Sequence, residues 1–559
     1  MNLFHEFGKK APNKIFISVV LGGIAGMGYA SLIPVVVSSL APNTLGLEPA
    51  AASTVTLFGI EVSNPRFALL FFAICALIFV ARLSSRLILV GVSLALTADL
   101  RVRLCRAIAR APVADIELAG GAKLTAVLTE DVRRIVTGSL LLPNLLTNFV
   151  TFLGTLTFLM YLNMSTFLFV ISAIFCGLVV YQIPIFFGGR IFKKSREMFD
   201  DVQEAVRGLI YGVKELKLDA NKRAIYFDDV LNERERILLK NERSAFATFI
   251  AAESYGDMIS FFIIGTMAFI FVNYNAISTA ELIGVVMALL YITGPISAIM
   301  GAAPQIAMAK ASMKKVEALF GNLKEENSSA AAASEIPWHH MALSNVTYSH
   351  RADASSDGFS IGPISLAISK GEVVFLVGGN GSGKSTLGKV LSLHYEATGG
   401  QITFDGVAVT NTNVGVYRQG ISAIFTDYYL FDRFLHDLDD IQLRRANSLL
   451  ASLRIDDKVS IIDGKFSTLK LSDGQRKRLA LLVALMDGKQ LYIFDEWAAD
   501  QDPVFKEIFY KEILPELKKL GKAVVVISHD DRYFDVADRV FMFENGQVLH
   551  GRMQGADAA

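Results

Sequence analysis

The sequence predicts an all-α membrane domain of six transmembrane helices with long cytosolic extensions, followed by a phosphate-loop (P-loop) α/β nucleotide-binding domain. Three observations carry this reading. Hydrophobic residues make up 52% of the chain and charged residues only 19%, whereas a soluble protein carries nearer a quarter charged. Long apolar windows recur through the first part of the chain. Beyond residue 339 short apolar strands alternate with amphipathic helices, the pattern of a largely parallel sheet, and one strand runs straight into a glycine-rich loop.

A spanning helix needs about 20 mostly apolar residues. Windows at 15–40, 67–95, 140–162, 165–188, 246–273 and 280–308 meet that length. The first follows Lys9, Lys10 and Lys14, as a secretory signal would. Its apolar run exceeds the roughly 7–15 residues of a signal core, so it reads as a retained helix. Tight turns near Asn163 and over Asn273–Ser278 join the third window to the fourth and the fifth to the sixth, and a longer polar stretch, Ala41–Pro65, joins the first pair.

Charge then orients the chain. The 2–3 connection holds Arg101, Arg103, Arg106, Arg110, Lys123, Arg133 and Arg134, and the 4–5 connection is richer still, whereas the other connections hold no Lys or Arg before Arg66. By the positive-inside rule both termini are cytoplasmic. The basic connections keep helical apolar spacing, as in Leu124–Val136, so they read as spanning helices that continue into the cytosol and return. Their charges fit a solvated helix face, with contact to membrane lipid as the alternative.

The totals exclude other classes. The 54 basic and 54 acidic residues balance, so nothing points to nucleic acid as a partner. Cys75, Cys105 and Cys176 are far apart, with no Cys-x-x-Cys pair, and imply neither a metal site nor a disulfide framework. The linker composition of Gly321–Pro337 divides a transmembrane domain at 1–320 from a linker at 321–338 and a nucleotide-binding domain at 339–559.

The chemistry lies in the last part. Val373–Val377 is a buried strand, and Gly378-Gly-Asn380-Gly381-Ser382-Gly383-Lys384-Ser385-Thr386 follows it. This is G-x-x-x-x-G-K-[ST] in its strand-to-helix context. The glycines let backbone N–H groups turn toward phosphates at a helix N-terminus. Lys384 is placed for the β- and γ-phosphates of ATP and Ser385 for Mg²⁺. A second apolar strand, Leu491–Phe494, ends in Asp495-Glu496. An acid at that edge can hold Mg²⁺ through water, and the next carboxylate can polarise an attacking water.

Taken together, these residues resemble the ABC superfamily, over the whole chain. Leu471-Ser472-Asp473-Gly474-Gln475 looks like its signature, Asp500-Gln501-Asp502 like its D-loop, and Val524–His529 like the strand that ends in its switch histidine. The resemblance implies that Glu496 and His529 serve hydrolysis. It implies that Ser472, Gly474, Gln475 and Asp502 meet ATP held by a second copy, so the chain works as a homodimer. Tyr348 is placed like the aromatic that stacks on adenine, with a core tyrosine as the plain alternative. The family's Mg²⁺-touching glutamine is missing, and Thr426-Asp427 stands in its place. Coupling helices are expected near Leu118–Lys123 and Leu209–Leu218.

A narrower resemblance rests on Leu471–Leu481, on Phe494-Asp-Glu-Trp-Ala-Ala-Asp-Gln-Asp-Pro503, on Ile527–Phe534 and on Tyr211–Leu218. Trp497-Ala498 stands where most ABC proteins have Pro-Thr. These stretches are similar to the bacterial cyclic-peptide and siderophore exporters (pyoverdine-, syringomycin- and microcin-exporter-like). The resemblance implies ATP-driven export of a peptide-like molecule across the bacterial inner membrane. A lipid or lipopolysaccharide flippase is the alternative of the same architecture, and an ATP-gated channel or regulatory subunit is disfavoured by the intact Glu496 and His529.

Arg82 and Arg86 in the second window, and Glu253 and Asp257 in the fifth, are spaced four apart on one helix face. They mark either a polar substrate cavity, or charges in the cytosolic extensions or pairs that neutralise each other structurally, since charge at membrane depth costs at least about 2.5 kcal/mol.

Overall fold

The structure, a computed structural model, describes residues 11–40, 54–57, 60–63, 65–274, 279–321, 323–326, 336–350 and 359–553. Most of the expected 321–338 linker, the start of the 41–65 connection and the 275–278 turn therefore lie outside the described residues. The chain divides into two compact units. One comprises Met1–Leu104 and Leu124–Leu319, the other Cys105–Lys123 and Phe320–Ala559. The second unit thus includes a stretch inserted between two parts of the first.

The principal helices of the first unit are α1 (Pro12–Leu40), α2 (Pro65–Arg110, which runs on into the second unit), α4 (Leu142–Leu162), α5 (Met164–Tyr211), α6 (Glu233–Phe269) and α7 (Thr279–Gly321), and α3 (Val113–Ala119) follows α2 within the second unit. Local signals set the ends. Asn163 is extended and its side chain accepts from Thr166 N at 3.1 Å, which stops α4 and caps α5. At 48 residues α5 is about 72 Å long at ~1.5 Å per residue, over twice a ~30 Å bilayer core.

Among the described residues, five helical stretches are long and apolar enough to cross a membrane: Pro12–Val37, Pro65–Arg110, Gly121–Leu162, Met164–Ile191 and Glu281–Gly321. The expected 246–273 window falls on α6, where Phe261–Asn273 is a shorter apolar stretch. Helix α1 lies against α4, and α5 against α6. Small residues permit the first contact, since a Cβ on Gly154 would sit 2.5 Å from the Ala30 side chain and one on Gly26 2.7 Å from the Thr147 carbonyl.

The second unit holds two main sheets and a short hairpin that pairs Ile461–Ile462 with Lys465–Phe466. Strands β1 (His340–Ser349), β2 (Ser360–Ser369), β4 (Gly399–Phe404) and β5 (Val407–Ala408) form an antiparallel sheet in the order β2–β1–β4–β5. Strands β3 (Val373–Gly378), β6 (Ile421–Ile424), β7 (Leu491–Asp495), β8 (Ala523–Ile527), β9 (Arg539–Glu544) and β10 (Gln547–Met553) form the other, ordered β10–β9–β3–β8–β7–β6. It is parallel from β9 to β6. Parallel register puts the ends of β3, β8, β7 and β6 on one edge, where ligands of such sheets bind.

Trp497 is fully buried just beyond β7. Its Nε1 donates to the Lys477 carbonyl at 3.0 Å, and its ring lies 4.5 Å from that of Phe509. Trp497→Ala opens a cavity there and orphans that carbonyl. The expected cost is about 3–5 kcal/mol, seen as a fall of roughly 10 °C in the unfolding midpoint by scanning calorimetry of the full chain in detergent.

Candidate active site

The phosphate loop is shaped by glycine. Gly378, Gly381 and Gly383 have φ of +149°, +77° and +104°, and a Cβ on Gly378 would lie 2.1 Å from the Phe543 carbonyl oxygen. Helix α8 (Lys384–Leu391) starts directly after the loop. Lys384 is almost fully buried, and its ammonium donates to the carbonyls of Gly378 (2.9 Å) and Gly379 (2.7 Å). Burial holds its pKa below the usual lysine value, against the opposing pull of Glu496 and Asp495.

Parallel register brings the acids to the same edge. Ser385 Oγ donates to Asp495 Oδ1 at 3.1 Å. Burial pushes the Asp495 carboxyl above the ordinary carboxylate range, although the Ser385 hydroxyl opposes this. A hydroxyl and a buried carboxylate so placed are hard oxygen donors that suit Mg²⁺, whose charge would offset that burial. Glu496 has a left-handed backbone (φ +49°), and its N–H donates to the Ile527 carbonyl at 3.0 Å, across to β8. That strand delivers His529, whose Nε2 stands 3.3 Å from Glu496 Oε1. Both line a cleft of about 310 Å³ with Lys506, Tyr510, Ser528 and Asp530. The pair can hold and orient a water and take its proton.

The signature lies on helix α9 (Asp473–Asp487), which Ser472 caps. Ser472 Oγ accepts from Gln475 N at 3.4 Å, while Gln475 Oε1 accepts from Ser472 N at 3.1 Å. Gln501 Nε2 donates to the Gly474 carbonyl at 3.0 Å. Asp502 caps the next helix by accepting from Phe505 N at 2.9 Å and pairs with Arg478, whose guanidinium also lies 3.9 Å above the Phe505 ring. Sequence reasoning missed Arg478 and Gln501, which tie the signature helix to the 500–502 loop.

Tyr348 lies in the core, stacked 4.6 Å from the Tyr395 ring, and lines a cleft of about 900 Å³ with Glu117 and Arg418. Strand alternation turns it inward on β1. The aromatic beside the phosphate loop is Phe359, whose ring carbon is 3.3 Å from where a Gly383 Cβ would be. Nothing in the sequence singled it out. In the loop after β6, the Asp427 carboxylate is 3.8 Å from Lys389 Nζ, on the phosphate-loop helix, and Thr426 is exposed.

In the first unit Arg82 Nη1 donates to the Tyr29 hydroxyl at 2.6 Å, with its guanidinium 5.6 Å from that ring, and Tyr291 lies 6.3 Å from Tyr29. Arg86 Nη2 donates to Asn144 Oδ1 at 2.7 Å. The side chains of Glu253 and Asp257 lie outside the described residues.

Comparison with known proteins agrees with this geometry. Residues 361–499 match the family described as ABC transporter. ATP-binding protein SyrD of Pseudomonas syringae pv. syringae is 33% identical over 469 residues, 82% of this chain and 83% of that protein. An ATP-dependent lipid A-core flippase of Paraburkholderia xenovorans is 29% identical over 249 residues, 42% of this chain and 41% of the flippase. The leukotoxin translocation ATP-binding protein LktB of Mannheimia glucosida is 28% identical over 225 residues, 37% of this chain and 30% of that protein. With its phosphate loop, Asp-Glu strand end, signature and apolar helices in one polypeptide, the chain belongs to the ABC transporter family, as a multi-pass, ATP-hydrolysing member of the exporter type.

Proposed function

We propose that two copies of this chain form a homodimer that exports a peptide-like molecule (a cyclic peptide, lipopeptide, microcin or siderophore precursor) from the cytoplasm across the bacterial inner membrane. Six helices of each copy span the bilayer, with both termini and the ATP-binding unit in the cytoplasm. Gly378, Asn380, Gly381, Ser382, Gly383, Lys384, Ser385 and Thr386 cradle the phosphates. Ser385 and Asp495, with Thr426 or Asp427 as further oxygen donors, would hold Mg²⁺, which screens the phosphate charge. Ser472, Gly474, Gln475 and Asp502 of the second copy close the site. Glu496 takes the proton of the attacking water, and His529 orients Glu496 and meets the γ-phosphate.

The observation that carries the hydrolytic reading is the Glu496–His529 pair at 3.3 Å, on the same sheet edge as the Ser385–Asp495 pair at 3.1 Å. The peptide class rests on the Trp497-Ala498 and Tyr211–Leu218 resemblance. For substrate, Arg82 with Tyr29 and Tyr291, and Arg86 with Asn144, offer donors and aromatic faces on α1, α2, α4 and α7. Glu253 and Asp257 of α6 complete the proposed cavity. A lipid flippase is the second reading, favoured by the flippase relative above.

Purified full chain in liposomes decides between them. A cyclic lipopeptide that carries a carboxylate is expected to raise the ATPase rate about threefold or more and to accumulate with ATP, and Arg82→Gln to weaken its half-saturation by about tenfold. Stimulation by lipid A with none by the lipopeptide would favour the flippase.

A further inference from the structure

The phosphate-loop helix is bonded to the chain's own inserted stretch. Glu117 lies on α3, which follows the membrane helix α2 and belongs to the ATP-binding unit. One carboxylate oxygen of Glu117 accepts from Lys389 Nζ at 2.7 Å, and the other accepts from the Tyr395 hydroxyl. Lys389 is on α8, five residues beyond Lys384, or about 7.5 Å along the helix axis. Its ammonium, 18% exposed by side chain, sits 5.4 Å from the Tyr395 ring centre and 5.9 Å from that of Phe425. Tyr395 stacks in turn on Tyr348. Burial and the Glu117 carboxylate push the Tyr395 phenol far above its ordinary pKa, so it stays a donor.

The stretch is anchored elsewhere too. Val113 and Ala114 pack on the core, Glu326 N donates to the Arg110 carbonyl at 2.8 Å, and Arg418 holds Glu326 with two guanidinium nitrogens at 2.8 and 3.2 Å. Where a loop glutamine is expected, this chain instead has Thr426-Asp427, and Asp427 is a second carboxylate facing the same Lys389 ammonium at 3.8 Å.

We propose that Lys389 is the positioning residue that passes nucleotide occupancy to the membrane helices, by clasping Glu117 from the phosphate-loop helix in the role for which the loop glutamine is missing. This rests on reading the chain as an ATP-driven transporter. A short helix whose first residues face the phosphates moves as a rigid rod. A charge pair reinforced by a phenol holds the inserted stretch to that rod without an intervening loop. Asp427, on the loop after β6, faces the same cation at 3.8 Å, so a shift of that loop changes how firmly Lys389 holds Glu117.

The test uses the full chain in lipid nanodiscs, with Cys75, Cys105 and Cys176 replaced by serine, Glu496→Gln to retain ATP, and a nitroxide at Tyr161→Cys. Pulsed electron resonance reads the distance between copies with and without Mg-ATP, and a fluorescent ATP analogue reads affinity. With the clasp intact, ATP is expected to shift the distance. Glu117→Gln should keep ATP affinity within about twofold yet lose about fivefold or more of the shifted fraction. The exchanged pair, Glu117→Lys with Lys389→Glu, should recover at least about half of it, and Tyr395→Phe should lose less than Glu117→Gln.

A full shift in Glu117→Gln, or equal failure of the single and exchanged variants, overturns the proposal. So does a loss of ATP affinity in parallel with the shift, which marks simple misfolding. If the unaltered clasp binds ATP with no shift at all, the transporter reading itself fails.

Discussion

Glu496→Gln is expected to lower the maximal ATPase rate of the full chain in lipid by about 10²–10⁴-fold, while ATP still binds. The amide keeps the shape of the carboxylate but cannot accept the proton of an attacking water. Its backbone place is over-determined: β7 ends at Asp495, the Glu496 N–H is bonded to β8, and its carbonyl accepts from Lys477 Nζ at 3.2 Å. The variant should therefore fold like the parent, and its loss should fall on the rate rather than on ATP affinity. Phosphate release and analogue binding on one preparation separate the two. Turnover at the parent rate would remove Glu496 from the chemistry.

The second large effect concerns the shared site. Lys384→Met alone and Gly474→Asp alone should each abolish hydrolysis. A Cβ on Gly474 would already lie 3.1 Å from the Asp500 carbonyl oxygen, so a carboxylate there crowds the helix end and repels phosphate. Purified from cells making equal amounts of both chains, the mixture should regain about a quarter of parental activity, because half the dimers are mixed and each has one sound site of two. The logic is geometric. Among the described residues, the signature's hydrogen bonds run within itself, to its chain neighbours and to Gln501. On the proposed reading, each chain offers one half of a site to another. A mixture as inactive as its parts would exclude the shared-site dimer.

Much of this site is legible from the chain alone, because each piece is contiguous and sits at a strand end. Gly378–Thr386, Asp495-Glu496 and His529 are each announced by a short apolar run. What local pattern cannot give is the strand order that sets them side by side, since Asp495 pairs with Ile527 and Ile527 with Leu376 across long sequence gaps. For Tyr348 the distance from the loop is legible in the chain, whereas its burial beside Val346 follows from the period-2 alternation of its strand. A coupling stretch is expected near Leu118–Lys123, and there two short helices, Val113–Ala119 and Gly121–Ala126, meet at Gly120, whose φ is +80°. The Lys389–Glu117 clasp joins residues 272 apart and leaves no mark on either neighbourhood.

That the ATP-binding unit includes residues 105–123 bears on how the protein can be dissected. A recombinant fragment cut at residue 320 would lack part of its own body. Tyr395 and Lys389 would lose the carboxylate they share, and the core around Val113 and Ala114 would meet water. Such a fragment is a poor stand-in for the enzyme in inhibitor screens or crystallisation trials. Linking residues 105–123 back to its N-terminus would supply the missing wall of the cleft.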